Sequence, residues 1–182
     1  ERLSLTDKHM KLQKSLDAFL FCCYAGMRYS DFTNLSKKNI VDINQETWLI
    51  YKSVKTGTEV RLPLYLLFAG KGIVILNKYR NNLEDFFRLR DNSNINKDLI
   101  IIAKLAGLSK KISFHTARHT NATLLIYNGV NITTVQKLLG HKSVKTTQVY
   151  TNIMDMTIVH DLEKIKQAAL GIKKKTDNSF NK

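Results

Sequence analysis

The stretch from Ser15 to Tyr24, SLDAFLFCCY, constrains the fold more than any other, because it is apolar nearly all the way round a helix. A helix with one wet face needs only a single apolar stripe, whereas a helix apolar on every side must be enclosed by other elements. The chain is therefore expected to wrap its remaining helices around this one. Gly26 follows as a C-cap, the position where a left-handed residue ends a helix. The preceding LTDKHMKLQ reads as a separate helical piece. After the glycine, RYSDFTNLS restarts helix, with Ser30 as N-cap and Asp31 suited to the positive end of the dipole.

The hydrophobic period then changes from helical to alternating. IVDI, TWLIYKSV and EVRLPL are short and rich in β-branched and aromatic residues, separated by NQE and KTGT. That pattern predicts a three-stranded antiparallel meander with two tight turns. Helical patterning returns after Pro63, the one proline in the chain. INKDLIIIAKLAG offers Asn96 as N-cap and stops at Gly107, TARHTNATLLIYNG stops at Gly129, and TTVQKLLG stops at Gly140. The expected class is mainly α with a small three-stranded antiparallel β-sheet inserted early.

A core of this kind needs apolar residues, and 182 residues at 43% hydrophobic supply one sizeable domain. Charge narrows the partner. Twenty-nine Lys and Arg against fifteen Asp and Glu leave +14, and discounting the lysine-rich tail GIKKKTDNSFNK still leaves about +11 on the folded part. An excess of that size favours a polyanion, most often nucleic acid. Cys22 and Cys23 lie side by side in apolar sequence with no Cys-x-x-Cys pairing, which reads as structural thiols in a reducing compartment. No run of eighteen apolar residues and no signal-like start occurs, so membrane insertion and secretion are not expected and a cytoplasmic location is. Glu1 in place of a methionine suggests a fragment lacking an N-terminal domain.

Two histidines four apart, His115 and His119 in FHTARHT, raise the question of zinc. A zinc hydrolase of that spacing carries glutamate beside the first histidine, where this chain has Thr116, and no third ligand is suggested. A phosphate site fits better. His115 and Arg118 share a helical face, and His141 follows the glycine that ends a helix. Tyr150 comes nine residues later, Arg28 lies at a helix corner and Lys55 at a hairpin tip. Guanidinium groups stay charged at any relevant pH and grip phosphate oxygens bidentately. A tyrosine becomes a competent nucleophile when cations favour its phenolate, and a mobile lysine can protonate a leaving oxygen. These types together suit attack on a phosphodiester.

The order Arg28, Lys55, His115-x-x-Arg118, His141, Tyr150 resembles the catalytic domain of the tyrosine recombinases, the phage-integrase-like enzymes. CCYAGMRYSDFTNL resembles their first arginine box, KTGTEVRLPL their lysine hairpin, and HTARHTNATLLIYNGVNITTVQKLLGHKSVKTTQVYTNI their second box. Ala117 departs from the leucine usual before the second arginine. The resemblance implies a site-specific integrase, expected from a bacterial mobile element and associated with the nucleoid, that cleaves and rejoins double-stranded DNA attachment sites. It implies a 3′-phosphotyrosyl intermediate on Tyr150, with Arg28 and Arg118 as phosphate clamp and Lys55 as general acid. His115 and His141 complete the set, and neither metal nor nucleotide cofactor is implied. Lys142 and Lys145 are expected to face the DNA backbone. A type IB topoisomerase, which rejoins the original strand, and a non-catalytic DNA-binding regulator are the two rivals.

The resemblance also suggests a catalytic domain over residues 1–170 and a DNA-binding domain upstream of the fragment, and the polar composition of 171–182 predicts a disordered tail. Ile158, Leu162, Ile165 and Ala169 form one stripe in DMTIVHDLEKIKQAAL. A helix over 155–170 is expected to dock between protomers of a homo-tetramer on DNA, the chain being a monomer without it; the alternative is that the stripe packs back on its own domain.

Overall fold

The computed structural model describes residues 12–151, together with Leu162 and Lys166. The enclosed helix is α1 (Gln13–Ala25), followed by the single-turn α2 (Tyr29–Thr33). Strands β1 (Ile40–Ile43), β2 (Glu46–Lys52) and β3 (Glu59–Pro63) come next. Six helices close the described chain: α3 (Lys71–Lys78), α4 (Leu83–Phe87), α5 (Asn92–Leu105), α6 (Phe114–Tyr127), α7 (Ile132–Leu139) and α8 (Lys145–Gln148). The expected mainly helical class with one small antiparallel sheet is what is found, in strand order β1-β2-β3. Among the described residues no helix is long and apolar enough to cross a membrane.

α1 is enclosed over most of its surface, with Phe19, Leu20, Cys23 and Tyr24 left half-buried. Ala18, Phe21, Cys22 and Ala25 are shut off from solvent, and α1 packs against α6, α3 and α5. The polar exceptions are matched to partners. Asp17 accepts from Lys78 Nζ at 2.7 Å and Tyr79 Oη at 2.9 Å, and Ser15 donates to Asp98 at 2.6 Å, so each buried polar group is satisfied. Phe21, Phe32, Phe86, Phe87 and Phe114 cluster beside the helix, with Phe32 and Phe86 edge to face at 5.3 Å. Truncating one such ring to alanine costs about 3–5 kcal/mol. Burial raises the Cys22 thiol well above its ordinary pKa and pushes Cys23 up to about 12, so both are inert structural thiols.

The sheet alternates as a one-sided sheet should. Val60 and Leu62 point inward from β3 while Glu59 and Arg61 face solvent, and Leu49 and Tyr51 are the inward residues of β2. Leu49 pairs with Leu62 and Tyr51 with Val60, which fixes the register. β1 and β2 meet through Asn44 and Gln45, both left-handed at φ 53° and 66°, the geometry of a two-residue hairpin turn.

Two cap expectations fail. Ser30 lies inside α2, where Arg28 takes the N-cap position, whereas Asp31 does stand in the first turn of α2 as expected, and is buried there. Asn96 lies inside α5, whose N-cap is Asp91, accepting from Asn94 N at 3.0 Å. The Asn96 side chain instead accepts from Phe114 N at 2.8 Å and docks the start of α6 on α5. The helical piece before α1, the helix expected over 155–170 and the tail over 171–182 lie outside the described residues, apart from Leu12, Leu162 and Lys166.

Candidate active site

The buried centre of the site is Arg118, on the second turn of α6 and 1% exposed. Its Nη1 donates to the Gly26 carbonyl at 2.7 Å and its Nη2 to the Leu139 carbonyl at 2.6 Å. Both carbonyls stand at helix C-termini, α1 and α7, where the backbone dipole is negative and the oxygens lack intrahelical donors. A guanidinium fork satisfies two helix ends at once. Burial is the main reason its pKa falls to about 10, with the nearby Arg28 charge adding to the drop. The close fit depends on glycine. Gly26 sits at φ 67°, and a Cβ there would stand 2.6 Å from Asn121 Oδ1. Asn121 Nδ2 in turn donates to the Cys23 and Tyr24 carbonyls at 3.0 and 2.9 Å, completing the cap of α1 from α6.

Arg28 is held differently. Extended backbone at φ −78°, ψ 157° carries it out of α1 toward the sheet. Its Nη1 donates to Ser53 Oγ at 3.2 Å and lies 3.5 Å from Asp31 Oδ2, a pair buried on the carboxylate side. Asp31 also accepts from Val54 N at 2.8 Å and Ser53 Oγ at 3.3 Å, so one buried carboxylate joins α2, Arg28 and the β2–β3 connection. The phenol of Tyr51 is close enough to Asp31 and Arg118 for their charges to act on it, and burial pushes its pKa above the ordinary tyrosine range.

Lys55 is exposed on that connection, over the residues expected to form the hairpin tip. Gly57 N donates to the Ser53 carbonyl at 2.8 Å and closes the turn, and Thr56 Oγ1 donates to the Gly140 carbonyl at 3.0 Å. The lysine loop is thus tethered to the end of α7. Gly140 is itself left-handed at φ 63°, and a Cβ there would meet Val60 Cγ2 at 2.6 Å.

The next residue, His141, is 7% exposed, with Nδ1 2.9 Å from Thr147 Oγ1. Its main chain is clamped to Gln136 in both directions, N to carbonyl at 3.1 Å and carbonyl to Nε2 at 3.0 Å. Burial, then the charges of Arg118, Arg28 and Lys55, pushes its pKa down to about 4. His115, on the first turn of α6, is exposed and lies edge to face with His119 at 4.4 Å. Burial, His119, Arg118, Arg28 and Lys55 lower its pKa, in that order of weight. Both imidazoles are therefore neutral at neutral pH.

Tyr150 follows α8, with its N–H donating to the Thr147 carbonyl at 3.0 Å and its ring 5.4 Å from that of His119. Burial raises its pKa, and the charges of Arg118 and Arg28 oppose that rise. All six expected side chains converge, because the charges of Arg28, Arg118 and Lys55 act on both histidines and those of the two arginines on the tyrosine. Lys142 and Lys145 are exposed beside them. Among the described residues no three His, Cys, Asp or Glu side chains gather around one point. A concavity of about 550 Å³ on α5, lined by Asn96, Lys97, Ile100 and Lys111, contains none of the six.

The segment from Gly140 to Tyr150 contributes more to the interior than its small, basic composition suggests, since His141, Thr147 and Tyr150 are all buried. Sequence reasoning also missed Asp31, Asn121, Thr147 and Thr56 as holders of the six. The signal was available for two of them: Asp31 stands three residues after Arg28, and Asn121 three after Arg118 along the same helix face.

A model of the phage integrase family matches residues 2–156. Tyrosine recombinase XerC of Rickettsia prowazekii is 30% identical over 159 residues, which make up 82% of this chain and 49% of that protein. The chain thus spans about half the length of such relatives. A crystal structure of a XerA recombinase matches with a TM-score of 0.66 at 26% identity, over 88% of this chain and 64% of that one. A lambda integrase tetramer bound to a Holliday junction shares the fold, with a TM-score of 0.60 at 22% identity over 81% and 47% of the two chains.

Proposed function

Because the chain belongs to the phage integrase family, whose tyrosine recombinases break and rejoin DNA strands, we propose that it is the catalytic part of a site-specific recombinase that uses Tyr150 as nucleophile. The observation that carries the reading is the setting of Tyr150, a buried phenol whose pKa burial raises while two guanidinium groups near it act in the opposite sense. In the ground state the phenol keeps its proton. Binding of a phosphodiester brings a further centre of developing negative charge between the same cations, and fixed positive groups stabilise that charge without reorganising.

In the proposed reaction the Tyr150 phenolic oxygen bonds to phosphorus and the P–O5′ bond breaks. The phenolic proton passes to the surroundings, and Lys55 supplies a proton to the departing 5′ oxygen. A 5′ hydroxyl from another strand reverses the step, so one phosphoester replaces another of similar energy. Arg28 and Arg118 form the positive clamp around the non-bridging oxygens, Arg28 as the gripping member, and His115 and His141 donate to those oxygens. Arg118 reaches the phosphate only with donors not engaged by the Gly26 and Leu139 carbonyls, so its main contribution is field rather than grip. Lys142 and Lys145, exposed beside the site, bind the flanking backbone of double-stranded DNA. Assembly is proposed as a homo-tetramer on DNA through residues 155–170, supported by the apolar stripe of Ile158, Leu162, Ile165 and Ala169 in the sequence.

Nicked duplexes tiled across the DNA that flanks the gene test the reading. The chain should form a protein–DNA adduct that survives denaturation, and Tyr150→Phe should form none while still binding. An adduct with the phenylalanine variant would remove Tyr150 from the mechanism.

A further inference from the structure

Thr147 is fully buried on α8. Its hydroxyl lies 2.9 Å from His141 Nδ1, the single partner found for it among the described residues. A helical threonine commonly returns its hydroxyl proton to a carbonyl one turn back. Thr151 does so here, donating to the Gln148 carbonyl at 2.7 Å. Thr147 shows no such bond among the described residues, and the acceptor found for its proton is the histidine ring.

Which way that bond runs decides what His141 can do. If Nδ1–H donated to the threonine, the hydroxyl proton would be left buried without an acceptor, and Nε2 would be a bare acceptor that repels an anion. If the threonine donates, every group is satisfied and Nε2 carries the ring's proton. We propose that Thr147 is a positioning residue: its hydroxyl donates to Nδ1 and locks His141 as the tautomer protonated on Nε2, the form able to donate to an anion held by Arg28 and Lys55. The neutrality of His141 makes the choice consequential, because an imidazolium would present both N–H groups regardless.

The same residue touches the nucleophile's backbone. The Thr147 carbonyl accepts from Tyr150 N at 3.0 Å. One residue therefore gears the histidine's donor to the tyrosine's position, through its side chain and its main chain respectively. The inference rests on the recombinase reading for its catalytic meaning, but the tautomer itself does not.

The test has two arms. Nitrogen-15 NMR of the whole chain, without DNA, should find His141 protonated on Nε2 and not on Nδ1. Thr147→Val, an isostere that cannot donate, should redistribute the tautomers, and Thr147→Ser should preserve them. In the covalent-adduct assay Thr147→Val should slow cleavage roughly ten- to a hundredfold, the range that outer partners of ligating histidines carry. Thr147→Ser should recover most of that loss. In a His141→Ala background Thr147→Val should cost nothing further, because the two act as one unit. Protonation on Nδ1 in the unmodified chain overturns the proposal, as does an equal cost of Thr147→Val with and without His141. Failure of the whole chain to form an adduct would count against the recombinase reading and leave the NMR arm to decide the tautomer.

Discussion

Arg118 and Lys55 bring positive charge to the same pair of histidines from opposite structural situations. The arginine is locked in a crypt between the ends of α1 and α7, with two N–H groups committed to carbonyls. The lysine stands exposed on a loop that the Thr56–Gly140 bond tethers to α7. A charge that must be in place before the transition state forms benefits from rigidity, since nothing has to reorganise. A proton donor, the role proposed for Lys55, has to approach the leaving oxygen and withdraw, and a loop allows that. Structural cost divides the same way: the arginine supports the fold, and the lysine carries almost no packing.

The sharpest way to break this contrast is Arg118→Ala. Two helix-end carbonyls would lose their donors and a buried volume would empty, so the loss should be about 3–5 kcal/mol of stability by denaturant unfolding, with cleavage reduced a hundredfold or more. A variant of normal stability would show that the crypt is not structural. Lys55→Ala should give the opposite profile, with stability within about 0.5 kcal/mol and cleavage down by about a hundredfold. A 5′-phosphorothiolate substrate, whose sulfur leaves unprotonated, should rescue the lysine variant and not the arginine one.

Acid separates the histidines from both cations. Above pH 6.5 His141 is neutral in the folded and unfolded chains alike, and contributes no pH dependence. Between pH 6.5 and about 4 the unfolded chain takes up a proton that the folded chain refuses, so stability falls as pH falls and levels off below. The total should be about 1–2 kcal/mol after solvent screening. His141→Gln should flatten that part of the profile, and an unchanged slope would place the titration elsewhere. The smallest effect belongs to the tether. Thr56→Val should cost about 0.5–1 kcal/mol and slow cleavage modestly by loosening the Lys55 loop.

The elements that bear the six proposed side chains were legible because their information is local, whereas the set itself was suggested by its order along the chain and by a family resemblance. Period, glycine stops and residue spacing place Gly26, Gly140 and the strands without tertiary knowledge. Ser30 and Asn96 were misread as caps because a polar residue near a helix start has several uses, and only the folded neighbour decides. Asn96 takes a donor from Phe114, eighteen residues on, and the cap passes to Asp91. The burial of Arg118 was equally illegible, since nothing near Arg118 in sequence announces that the Gly26 and Leu139 carbonyls will meet it. Asp31 takes the first-turn place its sequence position suggests, but only the fold shows that it is also the buried counter-charge beside Arg28.

The fork of Arg118 has a consequence for how the chain is made. Its two carbonyl partners lie 92 residues before it and 21 after it. A chain emerging from the ribosome reaches Arg118 before Leu139 exists outside the tunnel, and until then the guanidinium can bridge only one helix end. The early segments α1 and β1–β3 can collapse together, but the crypt closes when α7 arrives. Contacts of such long sequence range form late and slowly. The arrival of α7 and the segment after it therefore completes both the interior and the proposed nucleophile, and shorter nascent chains hold the cations without the tyrosine that would use them.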